Sequence, residues 1–190
     1  MTAQEKDYFP ELLQALQQVP KQEVIAVLDQ AARQHPADPR PVLLIAAELM
    51  HANQVDQAEG AYLIALQRAP DFAIARFQLG LLQLTSGRPA AAMATWAPLD
   101  LLDEKAPLRL FKLGLEALAQ DRFADARQLL LEGMAQNNEN QPLNVDMQKV
   151  LDRIAGLGVV DGQPAAGTAQ QEEGPASADA NHFFISSYRQ

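Results

Sequence analysis

The stretch Ala73-Ile-Ala-Arg-Phe-Gln-Leu-Gly-Leu-Leu-Gln-Leu-Thr-Ser-Gly-Arg-Pro-Ala-Ala-Ala-Met-Ala-Thr-Trp96 decides the fold. Ala73 to Thr85 is rich in helix formers, Ser86-Gly87-Arg88 is a break, and Pro89 stands where a first helical position tolerates proline. The segment therefore predicts two helices joined by a tight turn. Small residues at Gly80 and Ala92 let the helices approach closely, and the large Leu79 and Trp96 are expected to fill the space between neighbouring hairpins. A lone hairpin of this kind cannot bury its apolar faces, so it must stack on others.

Outward from this stretch the pattern repeats with a step of 34 residues. Ala58, Ala92 and Ala126 form one column, and Tyr62, Trp96 and Leu130 a second. Ala46, Gly80 and Gly114 follow the same step, as do Ile45, Leu79 and Leu113. The fifth column is Asn53, Gly87 and Asp121, residue types that tolerate a left-handed helix exit. Columns in phase over three copies without an insertion predict an all-α solenoid of helical hairpins.

These residues resemble the tetratricopeptide repeat, whose unit carries a Leu-Gly pair, a Gly turn, an Ala, an aromatic, a second Ala and a closing Pro. Residues 39–72 match it through Ile45-Ala46, Asn53, Ala58, Tyr62, Ala65 and Pro70. Residues 73–106 match through Leu79-Gly80, Gly87, Ala92 and Trp96, and residues 107–140 through Leu113-Gly114, Asp121 and Ala126, with Leu130 for the aromatic. The second copy departs from the pattern with Leu99 at the second-Ala column and Glu104 at the closing-Pro column. It also holds Pro98 inside its second helix, which should kink or stop that helix near Ala97.

Around 39–140, the segment 1–38 is expected to be a degenerate N-terminal repeat or cap, with a short helix around Pro10–Val19 and a second over Lys21–Gln34. Residues 141–157 are expected to form a C-terminal capping helix, because Met147, Val150, Leu151, Ile154 and Leu157 fall at helical spacing. Asn144 is its expected N-cap and Gly156 or Gly158 its stop. Residues 158–181 lose apolar periodicity and read as a disordered linker. Residues 182–190, His-Phe-Phe-Ile-Ser-Ser-Tyr-Arg-Gln, read as an aromatic linear motif carried by Phe183, Phe184, Ile185 and Tyr188. The linker gives that motif a reach of roughly 25 Å, enough for its own groove, a second copy or another protein.

The chemistry inventory points away from catalysis. Cysteine is absent from the 190 residues, and neither His35 nor His51 has a second His or a carboxylate at metal-ligand spacing. No phosphate-cradling Gly loop or nucleophile elbow occurs, so no cofactor and no metal are expected. A surplus of 24 acidic over 15 basic residues repels phosphate backbones and anionic lipid. No basic stretch followed by an apolar run opens the chain, and no apolar run is long enough to span a bilayer. Expected are a cytoplasmic location, no nucleic acid and no membrane insertion.

The resemblance implies a concave groove lined by the first helix of each repeat. Carried onto this chain, its positions are Arg40, Leu43, Ala47 and Met50, then Ile74, Phe77, Leu81 and Leu84, then Leu108, Phe111, Leu115 and Leu118. All but Arg40 are apolar, so the carboxylate clamp of chaperone-tail binders is absent. The expected function is a non-catalytic adaptor or scaffold whose groove holds a hydrophobic peptide or helix, with its own tail as regulator or route to self-association. On this reading Leu115→Glu abolishes partner capture and leaves helix content intact. One alternative is a small acidic chaperone resembling those of type III secretion translocators. Another is an enzyme with a composite site at an oligomer interface.

Overall fold

A computed structural model of the chain describes residues 7–156. The linker 158–181, the motif 182–190 and Leu157 of the capping helix lie outside the described residues. Every element among the described residues is helical: α1 Phe9–Leu16, α2 Val24–Gln34, α3 Arg40–His51, α4 Val55–Arg68, α5 Ala73–Thr85, α6 Pro89–Trp96, α7 Pro107–Leu118, α8 Phe123–Gln136 and α9 Gln141–Gly156. Short 3-10 turns cover Lys21–Glu23 and Ala97–Leu101. The chain divides into two compact units, residues up to Ala75 and residues from Arg76 onward.

The expected turn column is where the backbone turns left-handed. Asn53 (φ 57°), Gly87 (φ 76°) and Asp121 (φ 56°) are the positive-φ residues among those described. Each closes the preceding helix with the same pair of hydrogen bonds. The N–H of Asn53 donates to Met50 O (3.0 Å) and that of Gln54 to Leu49 O (2.8 Å). Gly87 donates to Leu84 O (3.1 Å) and Arg88 to Gln83 O (2.8 Å), while Asp121 donates to Leu118 O (3.1 Å) and Arg122 to Ala117 O (2.9 Å). This cap satisfies carbonyls that the helix end would leave orphaned, and it requires one left-handed residue. The next helix starts at once: Ala58, Ala92 and Ala126 donate to the carbonyls of Gln54, Arg88 and Arg122.

In the first unit, α3 pairs with α4 and α2 packs on α3. Val42, Ala46 and Leu49 of α3 are buried, as are Ala58, Ala61, Tyr62 and Ala65 of α4. α2 contributes Leu28, Ala31 and Ala32, whereas α1, which packs on α2, buries none of its residues.

In the second unit Trp96 lies across Gly80 and stacks on Phe77, with ring centroids 5.9 Å apart. Its indole N–H donates to Phe77 O at 2.9 Å. Trp96 thus packs on its own hairpin, a correction to the expectation that this column fills the space between neighbouring hairpins. Leu130 repeats the arrangement against Gly114, and Phe111 fills the space left by Gly133. Phe77 and Phe111 meet at 6.2 Å, and Phe77, Trp96 and Phe111 are fully enclosed. Burial of each is worth roughly 1.5–3 kcal/mol.

Pro98 acts as expected: α6 ends at Trp96, a 3-10 turn follows, and Leu102 is extended. The expected cap at Asn144 is corrected. α9 begins at Gln141, and Asn140 Oδ1 accepts from Leu143 N (3.2 Å). Asn144 sits in the first turn instead, its Nδ2 donating to Asn137 O (3.0 Å). Leu143, Met147, Leu151 and Ile154 form the buried face of α9, with α8 as its neighbour.

Candidate functional site

The eleven apolar positions assigned to the groove divide into two groups. Phe77, Leu81, Leu84, Phe111, Leu115 and Leu118 are buried, with Phe77, Phe111 and Leu115 at zero exposure. These six are core side chains, and the expectation that Leu115→Glu would leave the helices intact is overturned by that burial. Leu43, Ala47, Met50, Ile74 and Leu108 are half-buried.

Three of the half-buried residues share one face of one helix. Leu43, Ala47 and Met50 fall at i, i+4 and i+7 along α3, which places them on one stripe. Val42, Ala46 and Leu49 fall one residue earlier at each step and are buried. α3 is therefore apolar on two adjacent faces, one buried and the other only half-buried. A helix apolar nearly all round is ordinarily enclosed on all sides.

The head of this stripe is held by a cluster that the sequence reading missed. Arg40 grips Asp7 with both terminal nitrogens (3.0 and 2.7 Å) and Asp38 through Nε and Nη2 (3.0, 3.0 and 2.7 Å). Its guanidinium lies over the Phe9 ring at 4.3 Å. Tyr8 donates to Asp38 Oδ2 at 3.0 Å and stacks on His35 at 3.5 Å, nearly parallel. Hydrogen bonds to Asp7 and Asp38 hold the guanidinium further into its protonated range. Burial pushes the Tyr8 phenol up to about 12, with the bond to Asp38 adding to it. For Asp38, burial opposes ionisation, but hydrogen bonds from Arg40 and Tyr8 outweigh it and leave the carboxyl below its ordinary value. Asp7 is lowered by its bond from Arg40 and by the Phe9 N–H. Asp7 and Tyr8 lie 33 and 30 residues from their partners Arg40 and Asp38, so no local spacing announces those contacts.

A second missed group lies in the other unit. Lys112 is buried on α7, with Nζ 2.6 Å from Asp100 Oδ1 and 3.1 Å from Glu116 Oε2. The i, i+4 spacing of Lys112 and Glu116 was the available signal. His51 is exposed, and His35 is taken up by Tyr8. Among the described residues no three His, Cys, Asp or Glu side chains converge to hold a metal ion, and no helix is long and apolar enough to cross a membrane.

Among solved structures the chain is similar to the 41-to-end form of MamA from Desulfovibrio magneticus RS-1. The identity is 13% and the TM-score 0.54, over 95% of this chain and 89% of that one. It is likewise similar to a MamA RS-1 ArsTM double mutant, at 13% identity and a TM-score of 0.53, over 96% and 93% of the two chains. The likeness supports a tetratricopeptide-like fold. With the nine helices and the recurrent left-handed cap of the described residues, it makes the chain an all-α helical-hairpin solenoid in class. No family model matches the chain, and no curated protein matches it.

Proposed function

We propose that this chain is a non-catalytic protein–protein interaction module, and that the Leu43, Ala47 and Met50 stripe of α3 holds an apolar helix of a partner protein. The observation that carries the reading is the half-open second apolar face of α3 beside its buried first face. Spacing at i, i+4 and i+7 suits a ligand helix with anchors at the same spacing. The partner is apolar rather than acidic, because Arg40 at the head of the stripe is already neutralised by Asp7 and Asp38. Helical-hairpin repeats offer extended surfaces to partners without any catalytic group, which favours an adaptor or scaffold role. Ile74, in the same unit and also half-buried, is a further apolar contact in this reading. The C-terminal Phe183, Phe184, Ile185 and Tyr188 are its competitor for the stripe, on the strength of their composition and reach alone.

Affinity capture with the full chain tests this. Met50→Glu places a charge under the bound helix and should weaken capture at least tenfold, which corresponds to about 1.4 kcal/mol. Leu13→Glu, at an exposed apolar site on α1, should leave capture unchanged. Equal capture by wild type and Met50→Glu would refute the α3 site. Replacing Phe183, Phe184 and Ile185 by Ala should raise capture if the tail competes.

A further inference from the structure

We propose that α1 is a detachable strap, held on the first unit by the clasp that Arg40 forms with Asp7 and Asp38. Three observations converge on it. First, α1 has eight residues, far short of the length at which an isolated helix persists in water. Second, none of its side chains is buried: Leu12 and Leu16 are half-buried and Leu13 is 42% exposed. Neither propensity nor core packing therefore holds it. Third, its first turn is fastened by charge and ring contacts to the junction of α2 and α3. Asp7 Oδ1 takes the Phe9 N–H (3.1 Å) and the Arg40 guanidinium, Tyr8 reaches Asp38 and His35, and Phe9 lies under the guanidinium.

The clasp is built to open. Asp7 is 52% exposed and Arg40 34% exposed, so salt weakens their attraction as it weakens any surface pair. Arg68 of α4 faces the same junction but donates to the main-chain carbonyls of Ala32 (3.3 Å) and Asp38 (3.1 Å), so it steadies the junction rather than the strap. Opening releases the Leu12, Leu13 and Leu16 stripe together with the face of α2 beneath it. The strap opens as a unit, while the helices that bury core residues stay folded.

The pH limits follow from the groups at the clasp, namely Asp7, Tyr8, His35, Asp38 and Arg40, with Glu11 also on α1. The Asp7 and Asp38 carboxyls sit below their ordinary value of 3.8. Their contribution is present above that value and is lost as pH falls through the lower folded values. The Tyr8 phenol is raised from 10.0 to about 12, so its contribution is present below pH 10 and is lost as pH rises towards 12.

Hydrogen exchange of the full chain, expressed as protection factors, tests the strap. Between about 10 mM and about 1 M NaCl at neutral pH, protection of the α1 amides should fall at least tenfold, while that of α3, α4, α7 and α8 holds. Arg40→Gln should give the same loss at low salt, and Tyr8→Phe a smaller one. If α1 keeps its protection at high salt, loses it only together with the core, or lacks it already at low salt, the strap is refuted. The salt series on the unaltered chain decides the matter even if Arg40→Gln fails to fold.

Discussion

The indole of Trp96 occupies the place that a side chain at position 80 would need. A Cβ built on Gly80 would run into Nε1, Cδ1 and Cε2 of the ring, whose N–H is fixed on Phe77 O at 2.9 Å. The ring is anchored at both its face and its edge, so it has no free direction in which to yield. Gly80→Ala should therefore cost about 1–3 kcal/mol despite the better helix propensity of alanine. In a Trp96→Leu background, which copies the Leu130 position of the next repeat, that cost should shrink by about 1 kcal/mol or more. Gly60→Ala is the matched control. Nothing lies within 4 Å of its new methyl, and propensity should stabilise the chain by up to about 1 kcal/mol. Urea midpoints of the variants measure all of these.

The left-handed column makes a prediction of opposite sign at its three members. Gly87 carries φ 76° without strain, so Gly87→Ala should cost about 1–2 kcal/mol. Asn53 and Asp121 already bear that strain with side chains of their own. Asp121→Gly should be stabilising by up to about 1 kcal/mol, and Asn53→Gly by less, since asparagine tolerates the region better than most. Destabilisation by Asp121→Gly would mean that its side chain does more than endure the turn.

These positions also show why the repeat was legible. A left-handed exit restricts residue choice so severely that Asn, Gly and Asp at a fixed step announce it, and a Pro inside a helix announces its end. The cap of α9 was less legible because Asn137, Asn140 and Asn144 are all competent to cap. Asn137 Oδ1 takes the N–H of Asn140, ahead of the helix, whereas Asn140 Oδ1 takes that of Leu143 in the first turn of α9, so the cap is Asn140. Burial was the hardest to read. α3 and α7 carry apolar residues on more than one face, and periodicity does not say which face meets a neighbour and which meets water. For that reason Leu115 and Ala47, equivalent in the repeat pattern, differ in the structure: one is sealed and the other half-open.

Leu115 offers a direct check on that difference. With no exposed surface, Leu115→Glu places an unpaired carboxylate in a packed interior, at a cost of several kcal/mol. Helical circular dichroism at 25 °C should fall, or the melting transition should broaden and drop steeply. Met50→Glu, on a half-buried site, should melt within a few degrees of the unaltered chain. A Leu115→Glu chain that melts normally would show that this side chain reaches water after all.

Lys112 makes the last case, where a charge sits among core residues of α7. Its ammonium meets Asp100 from the 3-10 turn that follows Trp96, and Glu116 one turn further along its own helix. Asp100 is half-exposed and Glu116 is 17% exposed, so removal of the cation strands one carboxylate more than the other. Lys112→Ala should cost about 1–3 kcal/mol, below the full cost of breaking a sealed pair because water still reaches Asp100. Lys112→Met keeps the aliphatic stem and should cost less. Lys112→Met combined with Glu116→Gln should recover most of the loss, since no buried charge is then left alone. Asp100→Asn should matter least of the single changes in thermal unfolding. If Asp100→Asn proves the most damaging, the ion pair is holding the turn after α6 in place, and the packing of α7 depends on that turn rather than on Glu116.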